Sequence, residues 1–204
     1  DLIIGKVMSS MQAQLVDSLQ YNEAGMDWFK HFPSTSIHIS DLRVGSGSNA
    51  LIAGGDIDVV ISLFPLLKNK VNIRRLQVNN STINIAQEDG HWSYDILKKS
   101  EKPSDTSFQT LIQELVLENT ILHYKDGKKL AFNLAITFAK IKGQYEHNIL
   151  DTEIEMDAML NDLMMDDYKQ AAPFPIDFAG GYRYDMNSGM QEFKEWSLRN
   201  EAIE

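Results

Sequence analysis

The chain has 204 residues, 43% hydrophobic and 24% charged, a balance that fits a folded globule and argues against wholesale disorder. It contains no Cys, so it has no disulfide framework, thiolate nucleophile or Cys-ligated zinc. Its net charge is −10, with 10 basic and 19 acidic side chains in residues 101–204, which disfavours nucleic acid and electrostatic docking on anionic lipid.

The length predicts one domain, 1–204. No run reaches the ~18–20 apolar residues that cross a bilayer, and no signal peptide is visible. The chain opens at Asp1 and goes straight into Leu2-Ile3-Ile4. We read it as a piece of a longer protein, with any membrane anchor outside it.

The first segment reads as an amphipathic helix over residues 1–20. Ile4, Val7, Met8, Met11 and Leu15 recur at the spacing of one helix face. Beyond residue 30 the period becomes 2. Ile57, Val59, Ile61 and Leu63 alternate with more polar neighbours, as do Ile83 and Ile85, and Ile154 and Met156. In the longest case Leu130, Phe132, Leu134, Ile136 and Phe138 fall on one face, with Ala131, Asn133, Ala135 and Thr137 on the other. This predicts antiparallel strands with one apolar and one polar face, since buried parallel strands are apolar on both. Turn signals fall at 45–49, Gly54-Gly55, Asp89-Gly90, Asp126-Gly127 and Ser188-Gly189. The polar run 98–107, with Pro103, predicts a loop between two repeat-bearing halves. Asp162 to Tyr168 is ambiguous between a turn and a short helix.

A repeat runs through the strands. Ile39-x-x-Leu42-x-Val44 returns as Ile73-x-x-Leu76-x-Val78-x-Asn80, Ile112-x-x-Leu115-x-Leu117-x-Asn119 and Phe193-x-x-Trp196-x-Leu198-x-Asn200. Val78 and Ile83 differ in parity, as do Leu117 and Leu122. A strand that keeps one apolar face must therefore bulge or bend near Asn79–Ser81 and again near Asn119–Thr120. The fold class expected is mainly β with minor α: a long, bent antiparallel sheet, as a curved groove or open half-barrel, with an N-terminal helix. The twelve alternating apolar residues (Val59, Ile61, Leu63, Ile83, Ile85, Leu130, Phe132, Leu134, Ile136, Phe138, Ile154 and Met156) are the candidate groove or core face.

Residues 1–97 carry a resemblance. An amphipathic start leads to Phe32-Pro33-Ser34 and then to Ile37-His38-Ile39-Ser40-Asp41-Leu42-Arg43-Val44. Next come Leu51 to Leu67, including Gly54-Gly55-Asp56-Ile57-Asp58 and Phe64-Pro65-Leu66-Leu67. Val71 to Asn80, Ile83-Asn84-Ile85 and Asp89-Gly90-His91-Trp92-Ser93-Tyr94 close the series. It resembles the N-terminal region of the AsmA family of Gram-negative envelope proteins, departing at Asn80-Ser81, where that family often has Pro. The resemblance implies a periplasmic body anchored in the inner membrane, similar to bridge-like lipid-transfer proteins. It further implies a curved sheet holding lipid acyl chains, phospholipid above all, and a part in outer-membrane assembly or phospholipid transport.

The chemistry of enzymes finds no constellation here. His31, His38, His91, His123 and His147 lack ligand spacing, and Asp162, Asp166 and Asp167 lack the order of a calcium loop. No nucleophile elbow, phosphate loop or dinucleotide glycine set occurs. The expectation is a lipid-handling module with no catalytic residue, metal or cofactor. The alternative is an envelope scaffold that pairs through sheet edges, including with the rest of its parent protein.

Overall fold

A computed structural model describes residues 4–5, 8, 12, 18–31, 33–45, 47, 50–62, 64, 73–88, 90–95, 113–127, 129–169 and 173–199. The expected loop over 98–107 lies outside these. The alternation read in the sequence becomes β-strands throughout. In chain order they are β1 (Leu19–Gln20), β2 (Glu23–His31), β3 (Ser34–Ser40), β4 (Arg43–Val44), β5 (Ile52–Ala53), β6 (Asp56–Ser62), β7 (Ile73–Asn79) and β8 (Thr82–Glu88). There follow β9 (His91–Trp92), β10 (Glu114–Asp126), β11 (Leu130–Glu146), β12 (Ile149–Met165), β13 (Tyr168–Lys169), β14 (Phe174–Asp185) and β15 (Met190–Arg199). They form one large sheet, not closed into a barrel.

Two short sheets merge at β10. One runs β2-β3-β6-β7 and joins the first part of β10, while the other runs β1-β4-β5-β8 and joins its second part. From β10 the order continues β11-β12-β14-β15. The division is a crease across the strands. β3 and β4 are separated at Asp41, β5 and β6 at Gly54-Gly55, β7 and β8 at Asn80, and β10 bends at Asn119. Asp41, Asn80 and Asn119 have φ of 51°, 53° and 47°, the left-handed region that Asp and Asn tolerate best among residues with a Cβ. The Leu42 amide donates to the Gly55 carbonyl at 3.0 Å, the Asn80 amide to Glu118 at 3.1 Å, and the Ile121 amide to Ser81 at 2.9 Å. At Gly55 (φ 102°) a Cβ would lie 2.6 Å from the Asn79 carbonyl oxygen. The bends expected at Asn80 and Asn119 are therefore present, and each reverses strand parity so that the apolar face is kept.

Three expectations need correction. The sheet is mixed, because β10 runs parallel to both β7 and β8 while every other pairing is antiparallel. The long connection between β9 and β10 has room to return the chain to the starting end, as a parallel pairing requires. Gly54-Gly55 bends the chain onward from β5 to β6 without reversing it. The N-terminal helix is not delineated. Ile4, Gly5, Met8 and Gln12 are helical, the rest of 1–17 lies outside the described residues, and Leu19–Gln20 is strand. Leu19 is drawn into β1 by pairing with Val44, a tertiary contact that outweighs weak helical propensity.

The core sits on one face of the sheet. Ile37, Ile39, Leu42, Ile57, Val59, Ile61 and Val78 are buried there, together with Leu117, Leu134, Ile136, Ala139 and Ala158. Met8 joins them, with Ile4 packed alongside. Each large side chain removed from water contributes about 1.5–3 kcal/mol.

Candidate functional site

The register turns the alternating pattern into rows that cross the whole sheet. One row runs Ala24, Ile39, Ile57, Val78, Leu117, Ala139, Met156, Phe178 and Leu198, through β2, β3, β6, β7, β10, β11, β12, β14 and β15. A second runs Met26, Ile37, Val59, Leu76, Leu115, Ile141, Ile154 and Gly180. Beyond the crease a third runs Leu19, Val44, Ile52, Ile83, Leu122, Leu134, Leu160 and Phe174. All three lie on the face that carries the core.

Burial falls along the rows. Ile39 is 1% exposed and Val78 2%, whereas Leu198, in the same row, is 64% exposed. Phe193 and Trp196, also on β15, are 59% and 56% exposed. The bulge on β15 between Ser197 and Lys194, with Glu195 at φ 49°, keeps Phe193 and Trp196 on the same side as Leu198. Gly180 makes the space for Trp196, since a Cβ there would meet the indole ring at 2.7 Å. The Trp196 ring stands edge-on to Phe178 at 5.0 Å and to Phe193 at 4.8 Å, and its N–H donates to the Gly181 carbonyl at 3.0 Å. The aromatics are thus held in place by one another, yet their outer faces meet solvent. At the far end of the sheet a second aromatic series, Tyr94, Trp92, Tyr124 and Phe132, has ring centroids 5.3, 6.0 and 4.9 Å apart.

The opposite face is charged. Arg75, Glu114, Lys142 and Glu153 stand side by side on four adjacent strands, with Arg75–Glu114 at 2.6 Å and Lys142–Glu153 at 3.8 Å. Asp151 accepts from Lys194 at 3.2 Å and lies 3.7 Å from Arg183. Alternating signs on neighbouring strands favour this register over one-residue slips. A recess of about 1890 Å³ opens here and is lined mainly by such charged and polar groups. His38 lies 3.0 Å from Asp58, and His123, Asn133 and Asp162 form a hydrogen-bonded row. No group of three or more metal-ligating side chains gathers among the described residues.

The candidate residues divide as follows. Val59, Ile61, Leu134 and Ile136 are core, and Ile83, Phe132 and Met156 pack against it. Ile154 stands in the second row, and Leu130 and Ile85 are half-buried towards the sheet's far end. Phe138 leaves the face: Thr137 is an extra residue in β11, so Ala139 takes the inward place and Phe138 pairs with Glu118 and Asp157. Leu63 lies outside the described residues. The candidates omitted Phe178, Phe193, Trp196 and Leu198. The last three occupy apolar repeat positions, the signal that marks them. No family model, curated protein or solved structure matches this chain.

Proposed function

We propose that the chain is a non-enzymatic lipid-handling module of the Gram-negative envelope, of the AsmA-like kind, held at the inner membrane by its parent protein and serving phospholipid transport or outer-membrane assembly. The observation that carries this reading is the row from Ile39 to Leu198, apolar on eight strands, buried at one end and open at the other. An acyl chain laid over Met156, Phe178, Trp196 and Leu198 would gain about 25 cal/mol for each Å² of apolar area it covers, without directional chemistry. Strand-to-strand continuity gives such a chain an unbroken path, with no charged side chain in the row to desolvate. The charged recess on the other face offers nothing to an acyl chain.

Native mass spectrometry of the chain with phospholipid tests this reading. Bound lipid is expected for the wild type and is expected to be lost in Leu198→Asp, with unchanged thermal unfolding. A second reading, a scaffold that pairs through its sheet edge, draws on β15, ten residues long and unpaired on its outer side among the described residues. A wild-type chain that binds no lipid at any ratio would put that reading first.

A further inference from the structure

The charged face changes character at the crease. Before it, anions have cations beside them: Glu114 pairs with Arg75, Glu153 with Lys142 and Asp151 with Lys194. Beyond it, a row on that same face runs Thr82, Ile121, Ala135, Met159 and Pro175, one residue each from β8, β10, β11, β12 and β14. Ile121 is 43% exposed and Met159 37%. Carboxylates border this strip on both sides. Towards the crease stand Glu118 and Asp157, with Phe138 between them. Towards the strand ends stands Asp162, whose Oδ2 accepts from Asn133 at 2.9 Å. None of these three carboxylates belongs to an ion pair among the described residues. The frame is bounded one row further out by Lys140 on one side and by Lys125 and Lys169 on the other. An exposed apolar strip between unmatched anions forgoes stabilising cross-strand pairs and marks a surface built for contact.

We propose that this strip binds a basic amphipathic helix of a partner protein, lying across the strands. The dimensions agree. Five strands at about 4.8 Å spacing make a strip roughly 19 Å long, the length of about 13 helical residues. Asp157 and Asp162 lie on one strand, and at about 3.3 Å per residue their rows are roughly 16 Å apart. A helix about 10–12 Å wide occupies that gap, and Lys or Arg on its two flanks reaches a carboxylate on either side. Its apolar stripe covers Ile121, Ala135 and Met159, where the unbranched thioether adapts to the side chains it meets. Charge complementarity decides the occupant. The anionic frame repels an anionic lipid surface. A second copy of this chain supplies no such helix from its amphipathic pattern at residues 4–15, which contains one Lys and no Arg. The strip lies on the face opposite the one proposed to take lipid, so neither reading depends on the other.

Fluorescence anisotropy of labelled peptides, about 13 residues long, with the full chain is the test. One peptide carries a Leu stripe flanked by Lys, a second has the same residues scrambled so that no stripe forms, and a third has Glu in place of Lys. The first should bind about tenfold more tightly than either of the others, and more weakly as salt is added. Asp157→Lys and Met159→Lys should each weaken it about tenfold. Glu192→Lys, the same charge change on the same face but outside the frame, should weaken it less than about twofold. Glu118→Lys combined with Asp157→Lys should turn the preference towards the Glu peptide. Where Met159→Lys fails to fold, methyl NMR of the wild-type chain replaces it, and the Ile121 and Met159 methyl signals should move with the first peptide. A chain that binds the scrambled peptide as tightly as the striped one overturns the proposal. So does binding indifferent to positions 157 and 159, or Ile121 and Met159 methyls that stay in place. Capture of phosphatidylcholine vesicles that Met159→Lys abolishes would also overturn it, by making the strip a lipid surface.

Discussion

The two ends of the first row obey one rule and have opposite fates. In β3, β6 and β7, alternation places Ile39, Ile57 and Val78 inward, and they are 1–3% exposed. In β14 and β15 the same alternation places Phe178 and Leu198 on the same face, and Leu198 is 64% exposed. The difference is what lies against them: Ile39, Ile57 and Val78 belong to a buried cluster that includes Met8, with Ile4 packed alongside, whereas Leu198 stands outside it. Periodicity thus decides which way a side chain points, whereas burial requires a second layer. The aromatic content of the second region suits an uncovered face, because Phe178, Trp196, Phe193 and Tyr182 support one another through ring contacts.

The largest expected contrast is charge insertion at the two ends. Ile61→Asp buries an unpaired carboxylate at a site 1% exposed and should abolish cooperative folding, since the desolvation cost is several kcal/mol of a marginal total. Leu198→Asp should shift stability by about 0.5 kcal/mol or less. Urea unfolding of the two variants measures both, and equal losses would mean that β15 is covered after all.

Glycines sharpen the comparison next. Gly55→Ala puts a Cβ against the Asn79 carbonyl at 2.6 Å, where backbone cannot yield, and also forces a left-handed φ of 102° on Ala. A loss of about 3 kcal/mol or more is expected. Gly189→Ala, at φ 73° but in open space, should cost about 1 kcal/mol. Gly180→Ala is milder in a different way. Its Cβ meets only the Trp196 ring at 2.7 Å, and that ring has solvent to swing into. Stability should change by less than about 1 kcal/mol, while Trp196 fluorescence shifts as its hydrogen bond to Gly181 breaks.

The smallest effect is electrostatic. The Asp185 carboxylate accepts from the Asn187 amide at 2.9 Å and from Ser188, which holds its pKa below the ordinary carboxylate value. A pKa lowered by folding contributes stability above the unfolded value and loses it as pH falls through the folded one. Asp185→Ala should therefore lower the melting temperature slightly at neutral pH and not at all in strong acid. A thermal scan at both extremes checks the sign.

Much of this architecture is legible in the sequence, and the gaps have physical causes. The parity breaks between Val78 and Ile83 and between Leu117 and Leu122 announce the bends at Asn80 and Asn119, because an apolar face cannot survive a parity change without an extra residue. The bulge at Thr137 gives no such sign: Phe138 and Ala139 are both apolar, so either could face inward. The turn between β11 and β12, His147 and Asn148 with φ of 53° and 63°, lacks the glycine that marks other hairpins. The parallel seam is hidden because β7, β8 and β10 keep a polar side, and alternation reads the same in both directions. The exposed face of β15 is hidden for the reason the two regions differ: an apolar pattern carries no record of what covers it.

The measurement that bears most directly on the lipid reading uses Trp196 as a reporter. With Trp28 and Trp92 changed to Phe, the remaining indole sits on the uncovered face. Phospholipid brominated along its acyl chains should quench its fluorescence, and lipid brominated at no position should not. Undiminished Trp196 fluorescence at saturating brominated lipid would contradict an acyl-binding surface on β14 and β15.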